Sequence, residues 1–190
     1  MVAEGFGAYR PQDGINWCMS SCPAWRRTAK EEDEMNMGGK GKSPFANFCQ
    51  IGVIVRDMDE AVKFYESLGI GPFESPKGPA PIFDRQVYGK PAPDVKNRIS
   101  TTQMGAVQLE LVQPISGKSL QMEFLEKHGE GVNHLAFLVD DLDGEAAKLV
   151  GKGFRVVSSG RMLGGGAFAY LDTDKIGGIV FELIQQPSST

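Results

Sequence analysis

Four polar residues stand at matching places in the two halves of a 190-residue chain. Gln50 and His134 open the runs QIGVIVRDMD and HLAFLVDDLD, while Glu110 and Glu182 sit inside LELVQ and FELIQ. Taken singly, a strand Gln or Glu is ordinarily solvated, and a strand His is more often a hydrogen-bonded core residue than a ligand. At equivalent positions of a duplicated unit they form a donor set of one imidazole, one amide and two carboxylates. Two carboxylates buried together repel, and one keeps its proton unless a cation lies between them. Such a set suits a divalent ion of borderline or hard character, with positions left open for water or substrate.

The elements that must position these groups follow from the pattern around them. Period-2 alternation turns Leu109 and Leu111 one way and Glu110 the other, and Phe181 and Leu183 flank Glu182 likewise. The next residue on the face of Gln50 is Gly52, and on the face of His134 it is Ala136; both are small and leave room beside the polar groups. After the first strand, from about Cys49 to Val55, Asp57 and Glu60 form a D-x-x-E helix start. Ala61, Phe64, Tyr65 and Leu68 then recur at helical spacing up to Gly69. The Pro- and Gly-rich span Gly71–Pro93 predicts a short strand and a long loop, followed by strands at Lys96–Gln103 and Ala106–Gln113. A short helix, Leu120–His128, precedes a second round of the same order: strand Asn133–Val139, then a helix with the stripe Leu142, Ala146, Leu149, Val150. Strands Phe154–Ser158, Ala167–Asp172 and Gly178–Gln185 complete it.

The expected organisation is therefore a domain over 46–187, with module 1 at about 48–114, a linker at 115–131 and module 2 at about 132–186. Residues 1–45 read as a polar, flexible extension, with seven charges in RRTAKEEDE. Cys18 and Cys22 in that stretch have no second pair and no nearby histidine, which makes C-x-x-x-C a weak metal or disulfide signal. The GGG at 164–166 reads as a hairpin entry rather than a phosphate loop. Twenty Lys+Arg against twenty-four Asp+Glu leave a net charge of −4, with no basic excess to neutralise phosphates, so nucleic acid is not an expected partner. No apolar run reaches the roughly 18–20 residues of a membrane span. The start of the chain lacks the basic and apolar regions of a signal peptide, and three cysteines are too few for a disulfide framework. A soluble, cytoplasmic protein with no membrane partner is expected.

A tandem βαβββ unit over Phe48–Gln186, with a ligand-type residue in the first and last strand of each unit, resembles the vicinal oxygen chelate superfamily. That superfamily includes glyoxalase I, methylmalonyl-CoA epimerase, extradiol dioxygenases and bleomycin-resistance proteins. The stretch FLEKHGEGVNHLAFLVDDLD and the ending GGIVFELIQ are similar to the epimerase and its glyoxalase relatives. The resemblance implies an α+β fold with a curved mixed sheet around a metal-binding cleft, and a homodimer. It further implies one divalent ion (Zn, Co, Ni or Mn) held by Gln50, Glu110, His134 and Glu182. Catalysis would fall to Glu182 as the mobile carboxylate that moves the proton, with Glu110 as fixed ligand or second base. With one histidine at the site, oxygen-dependent ring cleavage is disfavoured.

The places where zinc-type glyoxalase I grips glutathione hold Ile54, Pro114 and Glu130. This favours an epimerase-like enzyme that transfers a proton next to the carbonyl of an acyl-CoA or other thioester. No acid stands around Asn97–Ile99, where the epimerase carries a second base, and Arg98 is expected to meet an anionic group of the substrate. The alternatives are a lactoylglutathione lyase acting on a hemithioacetal, and a metal-free binding protein of the antibiotic-resistance kind.

Overall fold

The structure, a computed structural model, describes residues 43–75 and 82–187; Cys18, Cys22 and most of the expected extension lie outside them. The chain runs β1 (Phe48–Ile54), α1 (Met58–Ser67), β2 (Ile82–Val87), β3 (Lys90–Pro91), β4 (Lys96–Met104), β5 (Val107–Ser116) and α2 (Leu120–His128). It continues through β6 (Gly131–Leu138), α3 (Leu142–Gly151), β7 (Val156–Met162), β8 (Ala167–Leu171) and β9 (Val180–Gln185). A 3₁₀ turn at Leu163–Gly165 joins β7 to β8, so the GGG is indeed a hairpin connection.

Helix starts are set by side-chain caps. Asp57 accepts from the N–H groups of Asp59 and Glu60 at 2.9 and 3.0 Å, Ser119 from that of Met122 at 3.1 Å, and Asp141 from that of Gly144 at 2.9 Å. Each satisfies donors that the first helical turn would otherwise leave unpaired.

The nine strands of the described residues join one curled mixed sheet in the order β3-β2-β7-β8-β9-β6-β1-β5-β4. The two modules meet at the antiparallel β1–β6 pair, where Gly52 is opposite His134 and Gln50 opposite Ala136. Within each module the first and last strands pair parallel, β1 to β5 and β6 to β9, and the other pairs are antiparallel. The convex face is apolar and covered by helices. Under α1 lie Val53, Leu109 and Leu111; against α3 pack Phe137, Ala169, Leu171 and Leu183, and the last two are fully buried. This core reaches back to Phe45, whose ring meets Phe137 edge-on at 5.2 Å, so the folded part begins inside the stretch expected to be extension.

α2 lies across the concave face. Its Leu125 packs with Ile54 and Val112, and its Leu120 with Phe168, Tyr170 and Val180. No helix among the described residues is long and apolar enough to cross a membrane.

The short strand expected in the Gly71–Pro93 span is β2, and its partner lies outside its own module: it pairs antiparallel with β7 of the other, Ile82 opposite Met162 and Val87 opposite Ser158. Pairing with β7 satisfies the backbone groups of a segment whose local pattern is weak.

Candidate active site

The concave face carries the polar groups in two adjacent rows across the sheet. One row runs Tyr170, Glu182, Ala136, Gln50 and Gln108. The next runs His134, Gly52, Glu110 and Thr101. Gly52 thus separates His134 from Glu110, and its missing side chain is what joins them. A Cβ on Gly52 would collide with the imidazole Cε1, Nε2 and Nδ1, so the ring occupies the space above the glycine. From there Nε2 reaches Oε2 of Glu110 and Oε2 of Glu182 at 3.3 Å each. On the other side Nδ1 lies 3.3 Å from the side-chain oxygen of buried Asn133, which orients the ring.

His134 is fully buried, and Gln50, Gln108, Glu110 and Glu182 are all buried too. Burial opposes a charge on the imidazole, but contact with Glu110 and the charges of Glu182 and Glu110 outweigh it and raise its pKa. Glu182 is pushed up to about 7, first by burial, against the pull of His134; the charge of Glu110 raises it further. Tyr170 stands opposite Glu182 across the β8–β9 pair, and its own pKa is driven far up by burial and by both carboxylates. The ring of Tyr170 stands edge-on to the imidazole at 5.3 Å.

Three of the four expected ligand residues therefore meet directly. The fourth, Gln50, lies one position along the same face and donates to the side-chain oxygen of Gln108 at 2.6 Å. Among the described residues no group of three or more His, Cys, Asp and Glu forms a ready metal cage. The distances agree with that: an ion shared by imidazole and carboxylate sits at about 2.0–2.2 Å from each ligand atom. The donor set nonetheless fits a divalent ion. Nε2 is fully buried and points between two carboxylates, yet has no aligned hydrogen bond to either. Small shifts of Glu110 and Glu182, with Gln50 turned from Gln108, would offer nitrogen and oxygen donors of the right kind.

Arg98 is not brought to this site. It occupies the convex face of β4, where its guanidinium forks onto Asp59 of α1 at 2.6 and 3.1 Å, and both partners are exposed. Alternation decides it, because Thr101, opposite Glu110, is of the other parity. A cavity of about 530 Å³ also lies away from the chemistry, between α3 and the 173–179 loop; its walls include Phe45, Leu149, Phe154 and Ile176. The polar groups, not that hollow, mark the site.

A family model described as the Glyoxalase/Bleomycin resistance protein/Dioxygenase superfamily matches residues 49–170. The chain belongs to that superfamily. It is 26% identical over 138 residues to the uncharacterized protein YqjC of Bacillus subtilis (strain 168), covering 71% of this chain and 89% of that protein. Methylmalonyl-CoA epimerase from Mycobacterium tuberculosis shares the fold at a TM-score of 0.55 and 23% identity, over 79% of this chain and 93% of that one. A variant of the Streptomyces coelicolor methylmalonyl-CoA epimerase in complex with 2-nitronate-propionyl-CoA matches at 0.54 and 26% identity, over 76% and 99%.

Within this superfamily fold, sequence reasoning missed Gln108, Asn133 and Tyr170. Gln108 and Asn133 are two residues before Glu110 and one before His134, and the YLDTD run containing Tyr170 has no counterpart in the first module. Cross-strand register brings Tyr170 beside Glu182 and Gln108 beside Gln50.

Proposed function

We propose that this chain is a metal-dependent enzyme that moves a proton on and off the carbon next to the carbonyl of an acyl-CoA thioester. The observation that carries the reading is the buried convergence of His134 Nε2 with Glu110 and Glu182 on the concave face. Likeness to an epimerase in complex with 2-nitronate-propionyl-CoA supports the substrate class.

His134, Glu110, Glu182 and Gln50 would hold the metal. When bound, a divalent ion supplies Lewis acidity toward a substrate oxygen. Glu182 takes the α-proton at a carboxylate oxygen. A carboxyl held near neutrality is matched to accepting a proton and giving it back, and burial, with the neighbouring charge of Glu110, provides this. Tyr170 holds the other side of that carboxylate, keeping it aimed at one side of the cleft. Delivery to the opposite face of the carbon needs a second acid. The concave positions of β4 are Ile99, Thr101 and Gln103, so Glu110 is the carboxylate left for that role. α2 closes the site against water with Leu120 and Leu125.

The glutathione alternative loses support here. Ile54 is fully buried against Leu125, and Glu130 accepts from the N–H of Arg56 at 2.8 Å, so neither position offers a grip for a carboxylate. One observation favours a metal-free binding protein: an imidazole between two carboxylates, its pKa raised by them, can take a proton in place of an ion. Metal analysis of purified protein, with solvent-deuterium exchange into methylmalonyl-CoA, decides between them. About one divalent ion per chain and metal-dependent exchange support the enzyme; tight binding of small molecules without metal or exchange overturns it. The expected homodimer is checked by sedimentation of the same sample.

A further inference from the structure

We propose that Gln108 is a positioning residue that withholds Gln50 from the metal, so that His134, Glu110 and Glu182 grip the ion and Gln50 is a detachable fourth ligand. This rests on the metal-dependent reading above. Gln108 stands two residues before Glu110 and opposite Gln50. The equivalent residue of the second module is Val180, two before Glu182 and opposite His134. One copy thus sets an amide beside its first-strand donor where the other sets an apolar side chain, and all four of these residues are buried.

The consequence differs between the copies. Val180 offers no hydrogen-bonding side chain, and the imidazole of His134 reaches across Gly52 to both carboxylates at 3.3 Å. Gln50 is drawn the other way: its Nε2 donates to Oε1 of Gln108 at 2.6 Å. The row runs Glu182, Ala136, Gln50, Gln108, so this bond pulls the amide to the side away from Glu182. On the near side Ala136 presents only a methyl group. Beyond Gln108, Gln103 donates to the carbonyl of Gly105 and does not compete for the same oxygen. The Gln108 oxygen is therefore the acceptor that this row gives Gln50. To reach the ion, Gln50 must give up a made bond and leave a buried oxygen without its partner. That exchange lowers the gain from a fourth protein ligand and keeps its place open to substrate.

Calorimetric titration of the full chain, freed of metal, with Zn²⁺ tests this in wild type, Gln50→Ala, Gln108→Leu and the double variant. Gln50→Ala alone should leave the Kd nearly unchanged. Gln108→Leu frees Gln50 and should tighten binding roughly 3- to 10-fold, the net worth of one neutral hydrogen bond. The double variant should lose that gain, because Gln50 supplies it. Water-proton relaxation by bound Mn²⁺, which counts the waters left on the ion, should fall in Gln108→Leu and recover in the double variant. A role in packing alone would not produce that pattern. Should Gln108→Leu lower the Tm, Gln108→Val, which copies Val180, repeats the test. Zn²⁺ affinity equal to or weaker than wild type in a folded Gln108 variant overturns the proposal; an ordinary support of a bound ligand would cost roughly 10- to 100-fold when removed. Tightening that survives the loss of Gln50 overturns it too. So does a loss on the order of tenfold in Gln50→Ala alone, which would mean that Gln50 already ligates the ion. If wild type binds neither ion, the metal-dependent reading falls first and the proposal with it.

Discussion

Gln50 with Glu110 and His134 with Glu182 occupy equivalent places in two copies of one unit, yet their surroundings differ. In the first copy the amide is tied to Gln108 at 2.6 Å, and the residue between Glu110 and the seam is Gly52. In the second, the imidazole crosses that glycine and meets both carboxylates, while Glu182 has Tyr170 on its far side. Duplication supplies the positions; the unequal neighbours supply the chemistry. Glu182, raised toward neutrality next to a phenol, is equipped to exchange a proton, and Gln50 has no titratable group to offer.

The largest effect should come from removing that distinction. Glu182→Gln keeps an oxygen donor and loses the base, so deuterium exchange into methylmalonyl-CoA should fall roughly 10²–10⁴-fold, the usual worth of a positioned base. Glu110→Gln should cost less, and metal content should survive in both. A dead Glu110→Gln beside an active Glu182→Gln would reverse the two halves.

His134→Ala should abolish most metal binding, measured by elemental analysis, since it removes the imidazole both carboxylates share. It also leaves two buried carboxylates facing each other, and breaking a buried charge set costs about 3–5 kcal/mol, read by urea denaturation. Full metal retention would show that the first half binds without the second.

Gly52→Ala attacks the seam between them. Its Cβ would collide with the imidazole ring, so His134 must swing away, with an overpacking cost of about 1–3 kcal/mol and loss of metal. Ala136→Gly, on the other side of the seam, should leave metal binding intact; equal losses in both would mean the site does not depend on the ring lying over Gly52.

The smallest effect lies outside the site, in a feature of the second module alone. Asp172 is held down to about 2 by the N–H of Arg155 at 2.7 Å, by its guanidinium at 2.9 Å, and by Lys175. Its folded pKa is below the ordinary value of about 3.9 in an unfolded chain. The stabilisation is therefore complete above about pH 4 and fades as pH falls toward 2. Asp172→Asn should lower the Tm modestly at pH 7, and the gap to wild type should close between pH 4 and pH 2. A gap independent of pH would show that packing, not charge, matters there.

Much of this was legible in the sequence, because periodicity and capping are local. The D-x-x-E start predicted α1, Leu120–His128 is the helix expected there, and the parity of Leu109, Glu110 and Leu111 turns the glutamate to the concave side. The duplication also paired Gln50 with His134 and Glu110 with Glu182, and three of the four residues meet. What composition could not carry was pairing between distant segments. The alternation of β4 was visible, but which parity faced the cleft depended on its register against β5, and this put Arg98 on Asp59. The weakly patterned span after α1 became β2 because β7 offered an open edge, and a bulge against Gly160 then brought Arg85 over the Phe168 ring. Strand neighbours far apart in sequence are chosen by the satisfaction of backbone hydrogen bonds and the burial of apolar faces across the whole sheet, and no window of residues records that sum.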